Sequence, residues 1–121
     1  MGKWLLALAA VLAAAPAVGA DRNSQEGRVA LEIYRSIVEI PTVKGRGQVP
    51  KMAKYLAGKF RQTGFASRDV EILPAGEAVG LIVTYRGSGE KAPILFLGHM
   101  DVVEAKREDW ERDPFTFIDE E

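Results

Sequence analysis

The chain has 121 residues, of which 47% are hydrophobic and 27% charged, with a formal net charge of −1 and no cysteine. At roughly 100–200 residues per domain, that leaves room for one domain at most. Without cysteine there is no disulfide and no site for a bacterial lipid anchor, so stability must come from a buried core or from something bound.

Residues 1–20 read as a leader. Met1-Gly2-Lys3 is a short basic start, an apolar run follows from Trp4 to Ala15, and Val18-Gly19-Ala20 is a small-residue end. That is the pattern of a cleaved secretory signal, with cleavage expected after Ala20 and a secreted or periplasmic product. A membrane anchor is the alternative, but a span needs ~20 apolar residues and Pro16 interrupts this one. Losing Lys3 and no acid leaves 15 basic and 17 acidic residues, a formal charge of −2. A nucleic-acid-binding module normally carries a basic excess on one face, so none is expected here. The basic cluster Lys44, Arg46, Lys51, Lys54, Lys59 and Arg61 is followed by Asp69, Glu71 and Glu77 and reads as a solvated helix face.

After a polar, frayed entry over residues 21–27, Val29, Ala30, Ile33, Tyr34, Ile37 and Val38 recur at helical spacing. Pro41 ends that helix, because proline disfavours helical geometry in the residue before it. Residues 42–48 contain Gly45 and Gly47 and read as a loop. A second helix opens with Pro50 in its first turn, places Met52, Tyr55, Leu56 and Phe60 on one side, and stops at Gly64. The period then changes. Val70, Ile72 and Leu73 suggest a short strand, residues 80–85 a second, and residues 93–98 a third, with a turn at Gly87-Ser88-Gly89. The faint phosphate-loop look of that turn fails, because it lacks the Gly-Lys-Ser/Thr ending and leads into a strand. The continuous apolar run at residues 94–97 predicts a strand buried on both faces. Two helices followed by such strands predict an α/β fold. A strand covered on both faces needs layers above and below, so the chain reads as the first part of a larger domain. A small complete α/β domain is the alternative.

The single histidine, His99, directly follows the most buried-looking strand. Ligands in open α/β sheets bind just outside the carboxyl ends of strands. In extended backbone His99 and Asp101 share a face, ~6.6 Å apart along the chain. The aspartate then approaches one ring nitrogen while the other faces outward, the usual support for a metal-bound imidazole.

The stretch Gly98-His99-Met100-Asp101-Val102-Val103, followed by Trp110 and Asp113-Pro114-Phe115, resembles a known group. It is the zinc-dependent peptidase family M-twenty, which includes glutamate carboxypeptidase, acetylornithine deacetylase, succinyl-diaminopimelate desuccinylase, aminoacylase and carnosine dipeptidases. The resemblance spans about residues 28–119. It implies the amino-terminal part of a three-layer α/β/α catalytic domain at residues 21–121, incomplete here. It further implies that His99 ligates one of two zinc ions and that Asp101 orients it, often through a cis peptide to the next residue, here Val102. In that family a bridging aspartate, a Glu-Glu pair and a further acid and histidine come later. The metals activate a water, a glutamate takes its proton, and the hydroxide attacks an amide carbonyl. The implied substrates are peptides or N-acylated amino acids, and the family's lid domain implies a homodimer. Asp119-Glu120-Glu121 lies too near Asp113-Pro114-Phe115 to be the family's acidic base motif, and Glu104, Glu108 and Asp109 read as loop solvation. One imidazole and one carboxylate do not make a zinc site, so the chain by itself is expected to be inactive. Two other readings stay open: a non-catalytic exported binding domain with His99 as a satisfied core residue, and a related zinc aminopeptidase.

Overall fold

A computed structural model describes residues 21–120, so the leader-like residues 1–20 lie outside the described part. Helix α1 spans Gln25–Val38 and helix α2 spans Val49–Gln62. Strand β1 covers Val70–Ala75 and strand β2 covers Ala78–Val83. Short 3-10 turns stand at Ser67–Asp69 and Arg107–Asp109. The α/β class expected from the sequence is the class observed. No described helix is long and apolar enough to cross a membrane.

α1 begins earlier than the apolar periodicity indicates. The Ser24 side chain caps it, its hydroxyl accepting from Gly27 N at 2.9 Å. A side-chain acceptor satisfies one of the amide donors that the first helical turn leaves free. α2 carries proline in its first turn, as expected, and ends in a Schellman arrangement. Gly64 N donates to Arg61 O at 3.1 Å and Phe65 N to Phe60 O at 3.2 Å, while the Phe60 and Phe65 rings meet edge-on at 5.3 Å. Gly64 holds φ +96 with open space where a Cβ would stand. Alanine there pays only the backbone cost of the left-handed region. Gly64→Ala should therefore destabilise by roughly 1–2 kcal/mol. Gly58 is an interior residue of α2 with the same open space, and Gly58→Ala should stabilise by about 0.4–1 kcal/mol. Urea midpoints shifting in opposite directions check the pair.

β1 and β2 form a two-stranded antiparallel hairpin with Ala75 opposite Ala78. Its two-residue turn, Gly76-Glu77, has positive φ at Gly76 and not at Glu77. That is the type II′ geometry, whose twist matches the strands it joins. Val70, Ile72, Leu81 and Val83 share the face that turns toward α2, whereas Leu73 and Ile82 on the other face are largely exposed. β2 is thus displaced from the expected 80–85, starting and ending two residues earlier.

The third strand is a correction. Residues 94–97 belong to no strand and are 81–92% exposed, not buried on both faces. A buried strand needs ladder partners at its edges and packed layers on both sides. The described residues supply one hairpin and one helical layer over it, so this run has neither. The chain bends at residues 89–91, starting at Gly89 (φ +83), the last residue of the expected turn.

The core is small: Ile40, Val43, Met52, Ala53, Ala57 and Val70, with Thr42 fully buried among them. Asp69 is also buried, and Arg86 closes on it with Nε at 2.8 Å and Nη2 at 2.6 Å from Oδ1. The hydrogen bond from Arg86 to Asp69, reinforced by their charges, raises the guanidinium pKa further. The basic cluster is not one solvated helix face. Lys59 Nζ meets Glu32 Oε1 at 2.5 Å, Arg61 donates to Val70 O at 3.0 Å, and Arg46 sits in the loop before α2. Beyond the sheet the chain returns to α1. There Phe117 packs edge-on to Tyr34 at 5.6 Å, and Arg22 pairs with Asp119 at 2.6 Å.

Candidate metal-ligand site at His99 and Asp101

Two segments far apart in sequence build the site. The loop after α1 runs beside residues 100–104, and Val43 and Val102 form a parallel bridge. Thr42 Oγ1 donates to Met100 O at 2.7 Å, and Val102 N donates to Thr42 O at 3.3 Å. Four residues on, Arg46 grips Glu104 with two contacts, Nη2 to Oε1 at 2.5 Å and Nε to Oε2 at 3.3 Å. Glu104 is thus an exposed ion-pair partner and not part of a ligand group among the described residues. The guanidinium also lies 5.2 Å from the centre of the Phe115 ring. Neither Thr42 nor Arg46 stands out in the sequence. The usable signal is the β-branched pair Thr42-Val43, which is strand-like inside an otherwise glycine-rich loop.

His99 is turned to solvent, with its side chain 83% exposed, against 67% for Asp101. Among the described residues it is therefore not a core histidine. Its Nδ1 lies 2.8 Å from the backbone carbonyl of Asp101 and 3.4 Å from the carboxylate Oδ1. A carbonyl oxygen only accepts, so this contact places the proton of the neutral ring on Nδ1. The lone pair then sits on Nε2, directed away from Asp101. The two residues come together through one ring nitrogen, Nδ1, but the nearer partner is the main chain of Asp101 and not its side chain. The peptide after Asp101 is trans, since the described residues contain no cis bond; the cis link implied by the resemblance is not formed.

Three cavities meet at this pair. One of about 470 Å³ is bounded by Thr42, Lys44, Gly45 and the start of β2. A second, about 420 Å³, is bounded by Lys44, Val102 and Glu104. The third, about 500 Å³, is mostly apolar; Met52, Leu56, Trp110, Pro114 and Phe115 line it together with His99. Trp110 and Phe115, the distant parts of the sequence motif, thus line the same cavity as the histidine. Among the described residues no group of three or more histidine, aspartate or glutamate side chains could hold a metal ion. A catalytic zinc takes three protein ligands and a water, so the described residues do not complete a zinc site.

One comparison bears on this arrangement. Ninety-seven residues are 28% identical to aminoacylase-1 of Sus scrofa. The matched part is 79% of this chain and 23% of that protein, so the chain spans less than a quarter of its relative's length. No protein-family profile matches the chain, and no solved structure does. The similarity is to an aminoacylase.

Proposed function

We propose that residues 21–121 are the amino-terminal portion of the catalytic domain of a longer, exported, zinc-dependent hydrolase of amide bonds. Its substrates in this reading are peptides or N-acylated amino acids. The observation that carries the reading is the state of His99: exposed, Nδ1–H committed to the Asp101 carbonyl, and the Nε2 lone pair left free at the meeting of three cavities. An imidazole held this way is prepared to bind a cation through Nε2. The similarity to aminoacylase-1 supports an amide as the bond cleaved. The leader pattern of residues 1–20 supports export. The remaining ligands and the general base belong to chain outside the described residues, so this stretch by itself is inactive.

The test is an assay of the longer polypeptide against a panel of N-acetyl amino acids and dipeptides, before and after chelation. Hydrolysis that is lost to a chelator and returns with zinc is the expected result. A purified longer polypeptide that binds zinc nowhere and cleaves no member of the panel overturns the proposal.

A further inference from the structure

We infer that Thr42 is a positioning residue that sets the geometry of the His99–Asp101 pair. Its side chain is fully buried, yet its hydroxyl reaches across 58 residues of sequence to the carbonyl of Met100, the residue between the two. Its own carbonyl takes the amide of Val102, the residue just after the pair. The backbone from 100 to 102 is therefore held at two points by one residue, and the Val43–Val102 bridge continues the same register. This matters because His99 is steered by a main-chain atom. The Nδ1 contact at 2.8 Å is made to the carbonyl of Asp101, which lies between the two tethered groups. A rotation of either peptide moves that carbonyl, and with it the acceptor that keeps the proton on Nδ1. His99 itself has no other hydrogen-bonding partner among the described residues to hold its ring. The constraint has to arrive through the backbone, and Thr42 is the buried polar group that delivers it.

The metal-binding consequence rests on the proposed hydrolase, whereas the geometric one does not, and the experiment separates them. Thr42→Val keeps shape and burial but removes the hydroxyl; Thr42→Ser keeps the hydroxyl. Ring ¹⁵N shifts of His99, read in the full chain at a fixed alkaline pH, report which nitrogen carries the proton. Wild type and Thr42→Ser should show the Nδ1–H form, and Thr42→Val a mixture of both forms. Identical ring spectra for wild type and Thr42→Val overturn the inference, as does a serine variant that behaves like valine. Should the valine variant not fold, wild-type hydrogen exchange still decides: the Thr42 hydroxyl and Val102 amide protons must be protected while the Val103 amide is not, and fast exchange of both overturns the inference. In the longer polypeptide, Thr42→Val should lower zinc affinity by roughly 10–100-fold, the usual cost of losing an outer support, with rescue by serine. If His99→Ala leaves hydrolysis intact while the ring signature still follows the Thr42 hydroxyl, the hydrolase reading fails and the positioning role stands. An unchanged ring signature beside a dead His99→Ala enzyme gives the reverse.

Discussion

Replacing His99 with alanine in the longer polypeptide should cut amide hydrolysis by about 10³-fold or more. A metal's charge stabilisation is worth several kcal/mol at the reacting carbonyl, and each ~1.4 kcal/mol is tenfold in rate. Losing an inner ligand forfeits most of that through lost occupancy or altered geometry. The same substitution should weaken zinc binding measured directly by titration, which separates loss of the metal from a general loss of fold. Full activity in a folded His99→Ala protein would remove the metal assignment.

Asp101 should behave differently from its usual image as the supporting carboxylate. Its Oδ1 stands 3.4 Å from Nδ1, too long for a good hydrogen bond, while its backbone carbonyl is at 2.8 Å. Asp101→Asn keeps that carbonyl, so the tautomer survives the substitution. The expected loss is near the lower end of the roughly 10–100-fold range for outer supports, far milder than His99→Ala. Paired zinc titrations of the two variants check this order. An Asp101→Asn effect as large as that of His99→Ala would mean that the carboxylate acts on the metal or the substrate directly.

The helices were legible where apolar periodicity or punctuation spoke. Ile33, Tyr34, Ile37 and Val38 mark α1, Pro50 opens α2, and Gly64 closes it with the Phe60–Phe65 contact. The start of α1 was not, because Ser24 lies in a polar stretch whose capping role shows only once Gly27 N turns toward it. Gly76-Glu77 fits a two-residue turn, but Pro74, Ala75 and Ala78 beside it are poor strand formers, which hid the early start of β2. The approach of His99 to Asp101 follows from the two-residue period of extended chain. Which atom of Asp101 it meets does not, since every residue carries a carbonyl and sequence says nothing of its direction. The Thr42-Val43 pair was faintly strand-like, but its partner was illegible for a related reason. Contacts between segments nearly 60 residues apart, such as Thr42 with Met100, leave no periodic trace.

Residues 94–97 pose the sharpest physical test of the longer polypeptide. An Ile-Leu-Phe-Leu run at 81–92% exposure is costly in water, at about 25 cal/mol per Å² of apolar surface left uncovered. In the proposed larger domain the run becomes an inner strand with layers on both sides. Successive side chains of a strand point to opposite faces, so Leu95 and Phe96 sample the two layers separately. Leu95→Ala should then cost about 2–5 kcal/mol and Phe96→Ala about 3–5 kcal/mol, the range for emptied core positions. At their present exposures of 85% and 90%, the same substitutions fall within roughly 0.5 kcal/mol of zero. Denaturant unfolding of the two variants in the longer polypeptide distinguishes three architectures. Two large losses mean a strand covered on both faces. One large and one small mean a sheet with an open face, as the exposed Leu73 and Ile82 side of the hairpin already has. Two small losses mean that the run stays at the surface, and the larger α/β/α domain must then be abandoned along with the placement of His99 at the end of a buried strand.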